Sequence, residues 1–481
     1  MTEVKKSTIA PSPNKSGSEV DIRIFELKCL DQVINLAPYI MNMNIYEDMF
    51  GNFITADLML NDSVNIPVHG PLVGQEYLDF QFATKSLGTL TSGYMPLTSI
   101  KKRYITKERQ QVYMLHFVSM ATLADATFKI SKSFRGMTIS DMAEKLILDY
   151  FDEFEWEKIL VEPTEGMHNV VIPNWSPFKA LNWLTKRAVN QNGCANYLCY
   201  ETMSSEEEEF PIMLFESVDR AMSRTAKRSF IYSASVEDTK KIVKASQGIS
   251  ELLDMKIASQ FNTIENMDRG YYASKLITHD IVKKKIRQQT HSLKDVYIPD
   301  INHSDIYMPI RPQGPEGYDY PWDDLETDIG QTSFSYAPED NARPNDGVSF
   351  ETVYDSKIMF YPKHDRMYAK NKTDLYDNGV ENWKLNRNTM IQGLNQIKLM
   401  IAFPGFSTIH AGDTINVIVP AAQKVIEKKP GEVANKEDLI DKQLSGKYLI
   451  TVLKHCITKS DRTLFYIAKA EVVKDAIGAA P

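Results

Sequence analysis

The histidines and cysteines of the sequence offer little that could act as a nucleophile or hold a metal ion. His455 and Cys456 are adjacent in a predicted strand, where neighbours point to opposite faces and cannot form a hydrogen-bonded pair. Cys194 and Cys199 are five residues apart in another predicted strand and also face opposite ways. We therefore predict no catalytic residue, no cofactor and no metal ion.

Two acidic stretches could supply the pair of carboxylates of a glycosidase, which face each other across a cleft at about 5 to 9.5 Å. They are Glu153 with Glu155, and the run 206–209. Acidic runs in loops are usually solvated, and that interpretation is favoured here. Gly412 and Gly446 lack the strand, glycine loop and helix of a phosphate-binding site.

Length and charge restrict the class of protein. A chain of 481 residues predicts about three or four domains. The net charge of −8 argues against a protein that binds nucleic-acid phosphates, because such proteins carry an excess of basic residues. The four cysteines are scattered along the chain, so we expect them to be reduced thiols. The polar segment 1–19 predicts a disordered arm and not a signal peptide, and no apolar run is long enough to span a membrane.

The stretch from Ala411 to Val473 predicts three successive antiparallel strands. The first begins near Thr414, the second covers 444–453, and the third runs from Thr463 to Val473. The middle strand is apolar on both faces, so a second surface must cover the face that a barrel interior does not. Either more of this chain or a partner covers it.

The region 22–119 also has the alternating pattern of β-strands. Two strands around Gly51 and Asn52 predict a hairpin, in which Ile54, Ala56 and Leu58 share one face. Further strands are predicted at 74–82, 97–106 and 111–119. The segment 22–119 therefore predicts a compact antiparallel barrel or sandwich.

Between the two β regions lies a helical segment. Thr138 is placed as the N-cap of a helix over 138–151, and Ser176 as the N-cap of a second helix with Pro177 at its first position. Strands at 194–200 and 212–216 predict a hairpin, which makes a small α/β domain. Trp175 and Trp183 are predicted to be core residues and not ligand-stacking groups.

After residue 248 the pattern predicts a long hairpin formed by 252–263 and 272–286. The segment 297–385 is rich in Pro, Tyr and Asp without a clear period, and predicts a surface insertion. The strand pattern resumes at residue 396. Because both β regions contain a long hairpin and a strand that starts after a glycine, Gly74 or Gly412, we predict a duplicated β module, although β domains in general look alike.

Three groups of motifs follow one another along the chain. They are Tyr46-Glu47-Asp48-Met49-Phe50 with 58–62, Ile172-Pro173-Asn174-Trp175-Ser176-Pro177-Phe178 with Leu181 and Trp183, and Gly412-Asp413 with 446–450 and His455. In this order they resemble a known family, the central baseplate hub proteins of contractile-tailed bacteriophages and the hub portion of type VI secretion spike proteins. The resemblance covers 22–475 without most of 297–385.

The resemblance implies a mainly β chain with a small α/β domain and two tail-tube-like antiparallel β-barrels. The expected domains are a disordered arm at 1–20, a first barrel at 21–120, an α/β domain at 121–247, a discontinuous second barrel at 248–296 and 386–476, and an insertion at 297–385.

The resemblance also implies a non-enzymatic role in the virion. Three chains would place six barrels around a channel in the tail baseplate, and so adapt a sixfold tail tube to a threefold central spike. The implied partners are further copies of this chain, the spike protein, the tail tube or its initiator, the tape measure protein and, through the insertion, wedge proteins. Since the sequence ends soon after the second barrel, the spike is expected to be a separate polypeptide.

Genome DNA would pass through the channel without specific binding, and the acidic balance of the chain fits this because like charge opposes adsorption. Two alternatives stay open, a tail-associated peptidoglycan hydrolase and a glycan-binding tail protein that uses the insertion. The basic run 283–285 with Arg287 is expected on an exposed strand edge. The residues expected at interfaces are Tyr46, Glu47, Asp48, Val452, Lys454, Lys283 and Lys285.

Overall fold

A computed structural model describes most of the chain. The described residues are 19–30, 32–84, 90–107, 110–151, 159–203, 212–232, 249–281, 283–293, 333–334, 348–349, 354–363, 379–420, 440–441, 443–460 and 463–475. The acidic stretches at 153–155 and 206–209, and most of the segments 1–20 and 297–385, lie outside them. Among the described residues, no helix has the length and apolar character needed to cross a membrane.

The first part of the chain is almost entirely β. The hairpin predicted around Gly51 is confirmed, and Ile54, Ala56 and Leu58 are all buried on one face. The elements are β1 (Val20–Lys28), β2 (Val33–Asn35), β3 (Ile40–Asp48), β4 (Thr55–Asp62), α1 (Ile66–His69), β5 (Tyr77–Thr84), β6 (Leu90–Lys107) and β7 (Gln110–Val118).

The middle part contains both predicted helices and the predicted hairpin. Thr138 caps its helix, since its hydroxyl accepts a hydrogen bond from the backbone N–H of Asp141 at 3.1 Å. Ser176 precedes its helix without a side-chain capping bond. The elements are α2 (Met120–Thr127), β8 (Ile130–Met137), α3 (Ile139–Tyr150), β9 (Ile159–Val161), β10 (His168–Trp175), α4 (Pro177–Thr185), β11 (Tyr197–Thr202), β12 (Ile212–Ser217) and α5 (Val218–Ser223).

The last part returns to β structure, interrupted by two helices. Its elements are β13 (Ser229–Ile231), β14 (Ile249–Glu251), β15 (Asp254–Ser259), α6 (Thr263–Asp268), β16 (Ala273–Asp280), β17 (Lys285–Ser292), β18 (Ser333–Phe334), β19 (Val348–Ser349), β20 (Ile358–Lys363), α7 (Val380–Gly393), β21 (Ile397–Pro404), β22 (Thr414–Ile418), β23 (Gly446–Ser460) and β24 (Thr463–Lys474).

The long hairpin predicted from 252–263 and 272–286 is wrong. β15 pairs antiparallel with β21, whereas β16 pairs with β17 and, in parallel, with β20. The helix α6 separates β15 from β16 along the chain. Strand propensity locates strands, but which strands pair is decided by packing against cross-strand neighbours.

The described part of the segment 297–385 contains elements that the sequence pattern missed: the short pair β18 and β19, the strand β20 and the first residues of α7. The apolar residues of α7 do not form a regular stripe, and no side chain caps its first turn. Its half-buried Arg387 donates hydrogen bonds from one nitrogen to the carbonyl oxygens of Thr185, Ala195 and Tyr197 at 3.1, 2.9 and 2.9 Å. Thus α7 is fixed to the α/β region by tertiary contacts.

The strands of the first β region close into a ring only with the help of the chain's last hairpin. The pairing runs β1, β5, β6, β7, β4 and β3, then continues to β23 and β24. A bridge between Glu19 and Phe465 returns from β24 to the start of β1. The predicted barrel of 22–119 therefore exists, but two of its strands, β23 and β24, come from the C-terminal part of the chain.

A second ring uses the same hairpin. Its pairing runs β13, β22, β23, β24, β21 and β15. β14 pairs with β13, and the hydrogen bonds from Leu252 to Ile231 and from Leu253 to Ala402 close the ring where β14 leads into β15. The predicted meander of three strands is thereby confirmed as β22, β23 and β24.

We call β23 and β24 the shared hairpin, because its two halves belong to different cores. Near its turn, Ile457 and Tyr466 enter the apolar core of the first barrel. Toward its base, Ile450 and Val472 lie in the core of the second barrel. The opposite face of the base, at Leu449, packs on the α/β region, so more of this chain covers the doubly apolar strand.

Two glycines launch corresponding strands in the two barrels. Gly74 precedes β5 with φ of 89°, and Gly412 precedes β22 with φ of 88°. Both values lie in the left-handed region that glycine adopts without a steric penalty. The common geometry favours the predicted duplication, which stays a prediction.

The shared hairpin leads to a stability prediction. Ile457→Ala should cost about 3 kcal/mol because it opens a cavity in the first barrel, and amide exchange should accelerate in β3 and β4. The control is Ile286→Ala, since Ile286 is 70% exposed and its loss should change stability by less than about 0.5 kcal/mol. Faster exchange confined to β21 and β22 would contradict the assignment of Ile457 to the first barrel.

The buried His168 of β10 makes stability depend on pH. Burial lowers the pKa of His168 from 6.5 to about 4. Below pH 6.5 this histidine is protonated in the unfolded chain, whereas in the folded chain it stays neutral down to about pH 4. The free energy of unfolding therefore decreases as the pH drops from 6.5 to 4. Between pH 7 and pH 5 the wild type should lose about 2 kcal/mol more than His168→Gln, measured by urea unfolding. Parallel pH curves for both proteins would refute this.

Candidate functional site at the barrel junction

The carboxylate of Glu47 lies where the first barrel, the second barrel and the α/β region meet. Glu47 is in β3 and is 0% exposed. One oxygen, Oε2, accepts hydrogen bonds from the hydroxyl of Thr202 at 2.9 Å and the backbone N–H of Ala411 at 2.8 Å. The other, Oε1, accepts the backbone N–H of Met203 at 3.1 Å. These donors fix the orientation of the carboxylate.

Two imidazoles complete the surroundings of Oε1. The Nδ1 atom of His410 lies 3.1 Å from Oε1, and the Nε2 atom of His455 lies 3.3 Å from it. His410 belongs to the loop after β21, whereas His455 belongs to the shared hairpin. On its far side the ring of His455 contacts the hydroxyl of Tyr466 through Nδ1. We call Glu47, His410 and His455 the junction cluster.

The electrostatics of the cluster keep Glu47 ionised. Burial by itself would raise the pKa of Glu47, but the charges and hydrogen bonds of His410 and His455 outweigh it, and the pKa is lowered. Burial, and next the charge of Glu47, raise the pKa of Tyr466 well above its ordinary value. Tyr466 is therefore a neutral hydroxyl that can donate or accept a hydrogen bond.

The loop that carries His410 is held tightly on both sides. The backbone N–H of His410 donates to the carboxylate of Asp413 at 2.8 Å, and Lys227 forms an ion pair with Asp413 at 2.9 Å. At the start of the loop, a Cβ on Gly405 would lie 2.1 Å from the ring of Tyr466. Only a glycine fits there, so the sequence of the loop is adapted to the aromatic ring beneath it.

A second buried carboxylate joins the α/β region to the second barrel. Glu216 of β12 accepts a hydrogen bond from the hydroxyl of Tyr200 at 2.7 Å and pairs with Arg224 at 2.5 Å. Burial raises the pKa of Glu216, and Arg224 partly offsets this. Arg224 also donates to the carbonyl oxygen of Gly412 at 2.8 Å, which ties the carboxylate to the strand that begins there.

Among the described residues, the junction cluster is the one group of three potential metal ligands that lie close together. Its ligand atoms are all within 4.8 Å of one another. It contains two bases and a carboxylate but no nucleophilic side chain. The arrangement is suited to holding a proton or a cation, not to covalent catalysis.

Four of the residues expected at interfaces lie together on the outer surface of the sheet. Tyr46 and Asp48 of β3 stand opposite Lys454 and Val452 of β23, and all four are partly exposed. The ammonium of Lys454 lies 5.2 Å from the centre of the Tyr46 ring. Glu47, between Tyr46 and Asp48, points to the other face and is buried inside the chain.

The two other expected interface residues are remote from this surface. Lys283 and Lys285 are exposed at the turn between β16 and β17 and at the start of β17. The adjacent Lys284 has φ of 52°, in the left-handed region, as a tight turn requires. The basic run thus lies at a hairpin turn, and Lys285 and Arg287 continue along the exposed edge strand.

Sequence reasoning found His455 but not its role. Alternation in β23 points His455 away from Cys456, as predicted, and the structure shows that His455 faces inward, toward Glu47. His410 was missed, because it follows a strand without any metal-binding spacing and is 363 residues from Glu47. Only folding brings the two together, so no local signal could have identified the cluster.

Comparisons with known proteins were made of sequence and of structure. No family model and no curated protein matches the chain. The tail protein of Neisseria meningitidis MC58 is 11% identical with a TM-score of 0.48, covering 97% of this chain and 100% of that one. The 43 kDa tail protein of prophage MuSo2 from Shewanella oneidensis is 10% identical with a TM-score of 0.48, covering 95% and 100%.

A third similar structure is an E. coli component of the type VI secretion system, described as structurally similar to tail proteins of bacteriophage T4. It is 9% identical with a TM-score of 0.42, covering 96% of this chain and 79% of that one. Two of these proteins are thus described as tail proteins and the third as a type VI secretion component. Likeness at this level identifies no functional residue.

The junction cluster yields a prediction about stability. Glu47→Gln replaces one acceptor oxygen by an amide donor, which must face either Thr202 and Ala411 or Met203, and should cost about 3 kcal/mol in urea unfolding. The matched control is Glu471→Gln, since Glu471 is partly exposed and pairs with Lys398 at 3.0 Å. Its loss should be below about 1 kcal/mol. Equal losses in both variants would show that the junction does not depend on the buried charge.

Proposed function

We propose that the protein is a structural component of a contractile phage tail baseplate, a homotrimeric hub that adapts a sixfold tail tube to a threefold spike. The observation that carries the proposal is the pair of closed barrels built on one shared hairpin. Three such chains supply six barrels, which resolves the symmetry mismatch between tube and spike. The order of the sequence motifs supports the same role.

The shared hairpin gives the two barrels the rigid connection that an adaptor needs. Because β23 and β24 run continuously from one barrel into the other, backbone hydrogen bonds and not a flexible linker set the angle between the barrels. The buried junction cluster adds side-chain contacts at the same point. Six barrels in a ring keep their spacing only if the two barrels of each chain are rigidly joined.

The proposed contact surface between chains is the outer face formed by Tyr46, Asp48, Val452 and Lys454. It combines an aromatic ring, an aliphatic side chain and both signs of charge, which is a composition typical of protein interfaces. Glu47 is buried within one chain, so we assign it to the junction and not to the interface. Lys283 and Lys285, on a separate hairpin, are proposed to contact an acidic partner.

In this role the hub would bind the spike protein on one side and the tube or its initiator on the other, with the tape measure protein and then genome DNA in the channel. The net charge of −8 supports passage of DNA without adsorption. Wedge proteins would contact the segment 297–385.

Catalysis is not part of the proposal. Zymography of the purified chain on cell-wall substrate tests the hydrolase alternative.

The proposal predicts the mass of the protein in solution. The full-length chain alone should elute with three times the mass of one chain in light scattering, or with its spike protein as a complex that contains three copies of the chain, and particles should show six lobes. Val452→Arg should reduce the mass to that of a monomer without changing thermal stability, because it puts a charge into the proposed interface.

A matched control is Val171→Arg, because Val171 is 70% exposed on β10 and remote from the proposed interface. It should leave the trimer intact. A monomer both with and without the spike protein would overturn the hub proposal. A trimer that survives Val452→Arg would retain the hub but move the interface elsewhere.

A further inference from the structure

The junction cluster has the donor set of a metal site. Glu47, His410 and His455 come from three separate segments and direct a carboxylate oxygen and two imidazole nitrogens toward one another. We propose that these three side chains bind one divalent transition-metal ion of the zinc type, which links the two barrels. This inference does not depend on the proposed function.

The spacing of the donor atoms fits such an ion. Zinc takes nitrogen and oxygen ligands at about 2.0 to 2.2 Å, so the ligands of a tetrahedral site are about 3.3 Å apart. The Oε1 atom of Glu47 lies 3.1 Å from Nδ1 of His410 and 3.3 Å from Nε2 of His455. The two imidazole nitrogens lie within 4.8 Å of each other, so a shift of the rings to about 3.3 Å apart completes the tetrahedral spacing.

The chemistry of the donors selects the kind of metal. Two imidazoles and one carboxylate suit zinc and its neighbours in the first transition row. Calcium needs six or more oxygen ligands and magnesium retains several waters, so neither suits a small, dry, nitrogen-rich site. Three protein ligands leave one coordination position for a further donor.

The surroundings resemble the outer shell of a metal site. Metal-bound carboxylates and imidazoles usually have their remaining atoms hydrogen-bonded, which holds each ligand in place. Here Oε2 of Glu47 accepts bonds from Thr202 and Ala411, and Nδ1 of His455 contacts the hydroxyl of Tyr466. With metal on Nε2, the proton of His455 would lie on Nδ1 and point to Tyr466.

The charge balance of the cluster also favours a cation. An ionised carboxylate removed from water needs a compensating positive charge. Among the described residues, no lysine or arginine pairs with Glu47, and its ion-pair partners are His410 and His455. Within the cluster that charge can come from an imidazolium of His410 or His455, whereas a divalent ion would offset the carboxylate with both imidazoles neutral.

The imidazole of His410 has one free coordinating atom, although its backbone is held tightly. Its ring contacts Glu47 through Nδ1, while Nε2 is buried and has no hydrogen-bond partner within the described part of the chain. An imidazole held by a single contact gains orientation from coordination. Metal binding would therefore fix the loop after β21 to the first barrel.

The test uses the full-length chain, stripped with EDTA and then equilibrated with zinc chloride. After desalting it should retain about one zinc ion per chain by mass spectrometry, and its thermal midpoint should rise by about 5 °C over the stripped protein. Cobalt(II) in place of zinc should give the intense visible absorption of a tetrahedral site. This last measurement needs no variant.

The variants Glu47→Gln and His410→Gln should both lose the bound zinc and the cobalt absorption. His279→Gln is the matched control, because His279 is exposed on β16 away from the cluster and should retain both. A wild-type chain that retains no zinc, or that leaves cobalt with the weak spectrum of its aqueous ion, would overturn the proposal. So would equal zinc loss in His279→Gln and His410→Gln, which would place the metal on the surface.

Discussion

The structure depends on the pairing requirement of sheet edges. A barrel is stable only when every strand has a neighbour on both sides, because an unpaired edge exposes backbone donors and acceptors. Neither barrel of this chain meets that requirement with its own local strands. The hairpin of β23 and β24 supplies the missing neighbours to both, so the two rings close together or not at all.

The position of the buried charges follows from this arrangement. Where one hairpin serves two barrels, polar backbone from the loop after β21 and from the end of β11 is enclosed without a regular partner. The carboxylate of Glu47 accepts hydrogen bonds from the N–H groups of Met203 and Ala411 at that place. Nearby, Arg224 pairs with the buried Glu216 and donates to the carbonyl oxygen of Gly412. A buried carboxylate that accepts several hydrogen bonds is costly to remove, which makes the junction rigid.

The region after β17 illustrates a limit of pattern reading. Helix α7 has few apolar residues and no capping side chain, so its sequence does not predict a helix. It is stabilised by the burial of Trp383 and Leu385 and by Arg387, which satisfies three carbonyl oxygens of the α/β region. Contacts between residues about 190 to 200 positions apart decide this element, and a local window cannot contain them.

The sequence by itself determined what depends on neighbouring residues. Alternation in β3, β4 and β22 to β24, the cap at Thr138 and the opposite facing of His455 and Cys456 all follow from local patterns, and the order of motifs named a class of protein. Only the tertiary structure decided that β15 pairs with β21, that the last hairpin closes both barrels, and that Glu47 meets His410. These are consequences of long-range packing, in which many pairings satisfy the same local pattern and burial of both faces at the base of β23 selects one of them.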